Sequence, residues 1–512
     1  MNSPESARPV SLRWRLLRWA CLLFAGLVTL LALLWGIENY RGRHAWEACR
    51  KELLAAGEKL DLADFVPAPV PDEQNFAMTP LLAPLFDYLP ESQRTATSGR
   101  WRDTNAFEHA HFLGRLAGEP KTTGDGRDNR RLLDLAARAA AIDRQAKRTN
   151  AAPADRSDAA RQILAGLEPG AAELAELRAA AQRPFARFNI RYNDGPATLL
   201  PHLAVLKGIA NVAQLRTLAE LELGRNDAAV VDLALVQRVA EAAKNEPFLI
   251  SGLVRLAIVQ IELQAVWEGL ARHRFTESQL AALQTHLAGL NLIADYVYCM
   301  RGERALCNDT LAKMRQGTLP SDTFSGLPGD YSASFVTMPA GWFYQNQVTI
   351  NRIDQKLIAV DAAGRRLNPR RFADDSVWQR DLAGFLPYKV LARLLLPAVN
   401  KAVMKFAYGQ ACVDQAVLAC ALERHRLALG GYPASLAELA PKFLATLPVD
   451  LVNGEPLHYR LVAPDHFQLY SVGWNLKDDG GVPGEFKKAQ GSSQHPDTMT
   501  GDWVWDNLPV AP

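Results

Sequence analysis

The chain has 512 residues, of which 48% are hydrophobic and 22% are charged, with 57 basic and 55 acidic side chains. This near-average composition excludes a disordered, collagen-like or acidic-tail protein, and the length predicts about two to four domains. A formal net charge of +2 gives no electrostatic support for nucleic-acid binding, so we expect partners to be recognised by shape.

An uncharged apolar run fills positions 19–37. As a helix it spans roughly 28 Å, close to the ~30 Å hydrocarbon core of a bilayer, and Trp19 and Trp35 lie near its ends, where interfacial tryptophans are expected. A buried core helix rarely runs this far with nothing more polar than Thr29. A cleaved signal peptide would have a shorter apolar region and would end in small residues, unlike the Leu-Leu-Trp-Gly-Ile found here. We therefore predict an uncleaved transmembrane anchor that contacts the lipid bilayer.

Basic residues flank this run on both sides: Arg8, Arg13, Arg15 and Arg18 before it, and Arg41, Arg43, Arg50 and Lys51 after it. Their numbers alone barely discriminate between the two orientations. A short tail, residues 1–18, with three arginines close to the membrane is typical of a cytoplasmic segment. We therefore expect a single-pass membrane protein whose body lies outside the cytoplasm.

Residues 38–125 are predicted to be a juxtamembrane segment followed by a proline-rich strap. The alternating prolines of Phe65–Asp72 exclude a helix and a central strand there, and residues 85–125 show no clear periodicity. On a strand, His109 and His111 would present both imidazoles on one face. No third ligand with clear spacing accompanies them, so no metal site is predicted.

Residues 126–395 are predicted to form a helical body, in which helical periodicity extends to about residue 317 and a long loop at 318–345 leads into a helix near Val348–Val360. Long helical segments such as Leu199–Leu223 and Phe248–Leu270 are joined by short turns, which is typical of antiparallel neighbours. Thr276 and Gln279 form a capping-box pattern before a further helix. No convincing 34-residue consensus is present, so we predict an irregular antiparallel helical array rather than a regular repeat.

Residues 396–512 are predicted to form a small α+β module. A last long helix covers residues 397–429, and Asn453 with Gly454 forms a turn signal. Two strand-like segments follow, at 457–462 and 467–472, and indicate a short antiparallel sheet packed on the helix. The predicted fold class is therefore mainly α, with an N-terminal transmembrane helix, the helical array and this module.

Several short motifs of the module occur in a fixed order: Tyr432-Pro433, Pro448-Val-Asp450, Tyr459, Tyr470-Ser-Val-Gly473 and Asp478-Asp479-Gly480-Gly481. In this order the module resembles the globular head of G-type pseudopilins of type II secretion. The chain also resembles the C-terminal part of a family of large membrane-anchored bacterial proteins through Gly341-Trp342, Ala421–Arg424 and Ser471–Asn475. This resemblance implies the bacterial inner membrane, with the body in the periplasm. The pseudopilin resemblance covers less than a fifth of the chain.

The chain departs from pseudopilins at its N-terminus. Pseudopilins carry a prepilin-peptidase site, a glycine followed by phenylalanine and then a glutamate, directly before their apolar helix. The residues before Trp19 contain no such pattern, and the apolar run is far from the module in the chain. We therefore do not expect a subunit that polymerises into a pseudopilus.

The resemblance also implies a calcium site, because the acidic loop of the family binds this ion. The corresponding oxygen ligands are Asn475, Asp478, Asp479 and Asp502. Calcium prefers several oxygen ligands at about 2.3–2.6 Å. Asn475 appears where the family has its first aspartate, which lowers the ligand charge. The alternative is that these residues form a solvated turn.

Four cysteines form two pairs with a spacing of eight residues, Cys299 with Cys307 and Cys412 with Cys420. On one helix this spacing is about 12 Å, too far for a disulfide within a pair. A bridge between the two helices would suit an oxidising periplasm, whereas the apolar neighbours of Cys412 and Cys420 favour buried thiols. Both interpretations stay open at this stage.

No linear motif of a hydrolase, zinc protease, P-loop or dinucleotide site occurs in the sequence. Asp374 and Asp375 form either an acid–base pair or a surface turn. The pattern favours a non-enzymatic scaffold or assembly factor of the cell envelope whose partners are envelope or secretion proteins. The alternatives are a ligand-binding or sensor protein that uses a groove of the helical array, and a hydrolase without a linear motif.

Overall fold

The computed structural model describes residues 12–89, 100–118, 131–319, 338–372, 380, 382–384, 386–395, 402–488 and 494–508. Within them the chain is mainly α-helical with a small antiparallel sheet, as predicted. The helices are α1 (Leu12–Ala55), α2 (Thr104–Ala110), α3 (Phe112–Leu116), α4 (Leu135–Gln145), α5 (Arg156–Leu167), α6 (Ala171–Ala180), α7 (His202–Glu222), α8 (Asn226–Ala242), α9 (Leu249–Ala271), α10 (Glu277–Ala288), α11 (Leu292–Gln316), α12 (Ala340–Leu357), α13 (Val390–Leu395) and α14 (Ala402–Leu429). The strands are β1 (His458–Ala463), β2 (His466–Ser471), β3 (Phe486–Lys488), β4 (Gln494–Pro496) and β5 (Trp503–Asp506).

The chain divides into two compact units. The first unit comprises residues 1–61, 305–353 and 376–397, and the second comprises residues 62–304, 354–375 and 398–512. Helices α11 and α12 contribute residues to both.

Helix α1 contains the predicted apolar run and continues without a break to Ala55. The first part of the predicted juxtamembrane segment is therefore helical and belongs to α1, since no proline interrupts it before Ala55. Among the described residues, α1 and α9 are long and apolar enough to cross a membrane. None of the most apolar window of α1 is buried, whereas 72% of the corresponding window of α9 is. Helix α9 is thus a core helix, and the apolar surface of α1 is left exposed.

In the first unit, α1 packs against α12 through a close glycine contact. A Cβ built on Gly42 would lie 2.3 Å from the carbonyl oxygen of Gly341, so only glycine allows this approach. The backbone N–H of Gly341 donates a 2.9 Å hydrogen bond to the Asn39 side chain. Further along both helices, Cys49 and Val348 belong to one buried apolar cluster. The two helices therefore run side by side in the same direction.

Buried charged groups connect the helices of the second unit. Arg255 of α9 is 1% exposed, and its guanidinium donates to Asp295 of α11 at 2.9 Å and to Glu241 of α8 at 2.8 Å. Glu262 of α9 accepts a 3.0 Å hydrogen bond from Gln237 of α8. Such groups are stable in the interior only when their hydrogen bonds are satisfied, so they fix how α8, α9 and α11 pack.

Several local predictions are confirmed. Thr276 and Gln279 form the predicted capping box at the start of α10. Asn453 and Gly454 lie in a tight turn in which Gly454 has a φ of 81°, a conformation that favours glycine. The alternating-proline segment contains no helix from Val66 to Pro71, as predicted, and short 3₁₀ helices such as Leu62–Phe65 and Phe76–Met78 lie on either side of it.

The sheet has the strand order β1-β2-β5, with both neighbouring pairs antiparallel. Strands β2 and β5 pack on α14, where the side-chain amide of Gln415 donates to the carbonyl of Trp503 at 2.6 Å. Trp267 of α9 donates its indole N–H to the carbonyl of Asp506 at 2.7 Å. The α+β module is therefore packed directly onto the helices of the second unit, and β5 is a strand that the sequence analysis did not predict.

Candidate functional site

An open cleft of about 580 Å³ lies in the second unit, between residues 359–371 and the turn 451–454. Leu476 closes one side of it. This volume lies within the range of about 300–1,000 Å³ that is common for ligand-binding pockets. We call it the basic cleft because Arg366, Arg370 and Arg371 are among the residues that line it.

The first wall of the basic cleft is a short hairpin that ends in a 3₁₀ turn. Asp361 and Arg366 exchange two backbone hydrogen bonds of 3.0 and 2.9 Å, and the Asp361 carboxylate accepts the N–H of Gly364 at 2.8 Å. Asn368 then caps the 3₁₀ helix Pro369–Arg371 by accepting the N–H of Arg370 at 3.0 Å. This local geometry places the three arginines on neighbouring turns of one segment.

The second wall is the turn 451–454, which is held by the buried Asp450 of the Pro448-Val-Asp450 motif. Asp450 is 1% exposed, and its carboxylate accepts hydrogen bonds from Ser471 Oγ at 2.9 Å and from the N–H of Val472 at 3.0 Å. Burial raises the pKa of Asp450. The N–H of Leu367 donates to the carbonyl of Leu451 at 3.0 Å and joins the two walls. The cleft is therefore supported by hydrogen bonds on both sides.

The charge of the cleft is positive. Arg371 uses one guanidinium nitrogen to donate to the carbonyl of Ala359 at 2.7 Å. Among the described residues, no carboxylate forms an ion pair with Arg366 or Arg370, and the one carboxylate of the lining, Asp361, is engaged by its own turn. Guanidinium groups bind carboxylates and phosphates through two parallel hydrogen bonds. The described lining contains no His, Cys, Ser or Thr side chain, so its chemistry is that of anion binding.

The acidic loop proposed as a calcium site is held together internally. Both carboxylate oxygens of Asp502 accept backbone N–H groups, from Asp479 at 3.2 Å and Gly481 at 2.6 Å. Asp479 accepts the side-chain amide of Asn475 at 2.9 Å and pairs with the ammonium of Lys477 at 2.5 Å. The Lys477 ammonium therefore already supplies Asp479 with the positive charge that a bound calcium ion would supply.

The remaining predicted calcium ligand of this loop, Asp478, contacts other groups. One oxygen of Asp478 accepts the N–H of Gly480 at 2.8 Å, and the other lies 3.8 Å from Nδ1 of His458. Within the part of the chain that the structure describes, no group of three His, Cys, Asp or Glu side chains is arranged to hold a metal ion. The arrangement does not fit a calcium centre and favours the solvated turn, and calcium binding stays a prediction from the resemblance.

A buried carboxylate in the Ala421–Arg424 stretch joins the module to the helical array. Glu423 accepts two hydrogen bonds from Arg426, at 2.7 and 3.0 Å, and one from the Tyr432 hydroxyl at 2.9 Å. Nδ1 of His273, in the turn between α9 and α10, lies 2.8 Å from the same carboxylate. Although burial raises it, the hydrogen bonds from His273 and Arg426 hold the pKa of Glu423 at about 2. The resemblance pointed to this stretch, but its role became visible only in the structure.

A second polar cluster is enclosed in the core. His202 Nε2 lies 2.7 Å from one oxygen of Glu246, and Ser251 donates to the other at 2.5 Å. The rings of Phe86 and Phe188 pack on the imidazole of His202, with centroids 5.2 and 4.1 Å away. The residues His202, Glu246 and Ser251 are each at most 4% exposed, so this cluster has no access for a substrate and is structural.

The other residues singled out from the sequence lie apart from the basic cleft. His109 lies in α2 and His111 follows it, so the pair is not on a strand. Cys299 and Cys420 are buried thiols and not half-cystines. Asp374 and Asp375 lie outside the described residues.

The arginines of the basic cleft were missed in the sequence analysis because they follow no motif and precede the module in the chain. The one available signal was the Arg365-Arg366 and Arg370-Arg371 doublets in a Pro- and Asn-containing segment. Comparison of the chain with models of known protein families, with curated proteins and with solved structures found no match.

Proposed function

We propose that the protein is anchored in the bacterial inner membrane by residues 19–37, with its body in the periplasm. The exposed apolar surface of α1 supports the anchor, because exposed leucines and phenylalanines over this length are stable in lipid and not in water. The arginine-rich tail, residues 1–18, supports the orientation. Protease added to spheroplasts tests it: digestion of the body is expected, and full protection would contradict the periplasmic placement.

We further propose a non-enzymatic scaffold or assembly factor that binds an acidic segment of an envelope or secretion protein. The observation that carries this function is the basic cleft, an open groove in which Arg366 and Arg370 form no ion pair with any carboxylate that the structure describes. An open, positively charged groove recognises an extended anionic segment by electrostatic complementarity. The resemblance of the module to pseudopilin heads supports a partner from a secretion or pilus-like system.

Co-purification tests this function. The tagged full-length protein, solubilised in detergent, is expected to retain secretion or pilus subunits at low salt and to release them at high salt. Arg366→Gln is expected to reduce their recovery about tenfold, the effect of losing one charge-assisted contact. The matched control is Arg460→Gln, on β1, whose guanidinium donates to Gln468 and lies outside the cleft. Absence of such subunits with the wild type, or equal recovery with Arg366→Gln, would contradict the proposal.

The volume of the basic cleft also supports the alternative of a ligand-binding or sensor protein. In that case a small organic anion occupies the cleft instead of a protein segment. A screen of di- and tricarboxylates and sugar phosphates by thermal unfolding separates the two functions. An increase in melting temperature that Arg366→Gln abolishes and Arg460→Gln retains would favour the small ligand.

A further inference from the structure

The end of the apolar run is tied directly to the folded part of the first unit. Glu38, the residue after the run, accepts a 2.5 Å hydrogen bond from the hydroxyl of Tyr388, and Gly42 contacts Gly341 at the start of α12. Since α12 runs in the same direction as α1, its first residues lie at the end of the unit nearest the apolar run. If α1 spans the bilayer, this end of the unit lies at the membrane surface.

Aromatic side chains are concentrated at this end. Trp342 and Tyr344 lie in the first two turns of α12, and both are half-buried. Tyr388 is half-buried beside Glu38. Tryptophan and tyrosine are enriched at the boundary between hydrocarbon and water because their rings are apolar and their N–H and O–H groups are polar.

Arg315, a cation at this end, has no acidic partner in the part of the chain that the structure describes. Arg41 pairs with Glu38 at 2.9 Å and Arg43 with Glu47 at 2.7 Å, which compensates both charges. Arg315, in the last turn of α11, stacks its guanidinium over the ring of Tyr344, 4.2 Å from the centroid. No carboxylate of the described residues forms an ion pair with it, and its Nη1 is enclosed without a hydrogen-bond partner. Burial lowers the pKa of Arg315, and the charge of Arg43 lowers it further, so this position favours a bound anion.

The distance of Arg315 from the end of the apolar run, measured along the α1 axis, matches the position of lipid headgroups. Arg43, whose charge acts on Arg315, marks this distance. It follows Ile37 by six residues, which corresponds to about 9 Å along a helix. The headgroup layer extends about 5–8 Å beyond each side of the hydrocarbon core, and an arginine side chain reaches several ångströms further. If α1 spans the bilayer, the phosphate groups of lipids lie within reach of the Arg315 side chain.

We propose that Arg315 and the rings of Trp342 and Tyr344 form a binding site for the phosphate of an anionic phospholipid. The first unit then makes a second contact with the membrane, in addition to the anchor. This inference rests on the proposed membrane anchoring. The lipid, rather than a phosphate ion from solution, is favoured because the site adjoins the end of the apolar run.

The test uses the full-length protein in lipid nanodiscs of phosphatidylcholine alone or mixed with phosphatidylglycerol. The melting temperature is expected to be about 2 °C or more higher with the anionic lipid. Arg315→Gln is expected to abolish this difference. The matched control is Arg50→Gln, which removes the same charge from a residue about 20 Å beyond the run, where Asp61 lies 3.7 Å away; this variant should keep the difference.

Two results would overturn the site. One is a melting temperature that does not depend on the lipid, or that depends on it equally in Arg315→Gln. The other is the same stabilisation by inorganic phosphate in phosphatidylcholine nanodiscs, which would assign the site to a soluble anion. Extraction of the protein from native membranes by alkaline carbonate would instead contradict the anchor, and it is measured separately from the lipid dependence.

Discussion

The hydroxyl of Tyr432 donates a 2.9 Å hydrogen bond to the buried carboxylate of Glu423. Glu423 lies in the long helix α14, whereas Tyr432 begins the segment that leads into the sheet. His273 contacts the same carboxylate from the turn between α9 and α10. The buried side chain of Glu423 thus joins the helix, the Tyr-Pro segment and the helical array. This explains why the module is packed onto the helical array within the second unit.

Replacement of this carboxylate is expected to destabilise the second unit. Glu423→Gln removes the charge that Arg426 and His273 face, and it should lower the free energy of unfolding by about 1–3 kcal/mol. Chemical denaturation of the detergent-solubilised protein measures the effect. Glu455→Gln, in an exposed position of the turn 451–455, is the matched control and should change it by less than about 0.5 kcal/mol. Equal effects of the two variants would contradict the role of Glu423.

A second buried carboxylate predicts that the protein loses stability as the pH rises. Burial raises the pKa of Asp354 to about 8, although Arg304 lowers it in part, whereas the ordinary value is 3.8. Because the folded pKa is the higher one, the contribution of this group to stability is fully present below pH 3.8 and is lost as the pH rises to about 8.

Denaturation at a series of pH values tests this contribution. The decrease in stability between about pH 6 and pH 8 should be smaller in Asp354→Asn than in the wild type, since the amide does not ionise. Asp465→Asn, in an exposed turn between β1 and β2, should retain the wild-type decrease. A decrease of unchanged size in Asp354→Asn would show that another group is responsible.

The glycine contact between α1 and α12 predicts a strong steric effect. Gly42→Ala places a methyl group 2.3 Å from the carbonyl oxygen of Gly341 and should destabilise the first unit by about 2 kcal/mol or more. Gly36→Ala is the control on the same helix, because nothing lies within 4 Å of its added Cβ. Limited proteolysis of the protein in detergent should show faster cleavage of Gly42→Ala only. Equal resistance of both variants would show that the helices separate without loss of stability.

The acidic loop predicts stability without calcium. Asp502→Ala removes the acceptor of two backbone N–H groups and should cost about 1–3 kcal/mol, whereas Asp478→Ala, an exposed residue, should cost less than about 1 kcal/mol. The melting temperature of the wild type should be the same with added calcium and with a chelator. A calcium-dependent increase that Asp478→Ala and Asp479→Ala abolish would support the metal loop instead.

Much of the fold was accessible from local patterns. The 3.6-residue periodicity predicted the helical array, and the strand-like segments 457–462 and 467–472 predicted the β1–β2 pair. The third strand, β5, was missed because Trp503–Asp506 is short and pairs with a strand that is distant in the chain. Short strands carry little periodic signal, so their pairing is decided by packing.

The basic cleft illustrates what local patterns leave out. Arg366 and Gly454 are far apart in the chain, yet the guanidinium of Arg366 lies within 3.6 Å of the position of a Cβ on Gly454. Charge composition concealed this site, because a near-neutral total says nothing about where unpaired arginines gather. The contact between Glu423 and His273 was not visible in the sequence either, because the two residues are 150 positions apart in the chain.

The sequence alone determined the apolar run, the mainly helical class and the order of the elements, because these depend on residues close together in the chain. The tertiary structure decided which of two apolar helices is buried, where positive charge is left uncompensated and which glycines touch. These depend on contacts between distant segments, whose energies arise from burial and desolvation and not from local periodicity. In this protein the apolar run belongs to the first kind of information, and both proposed binding sites belong to the second.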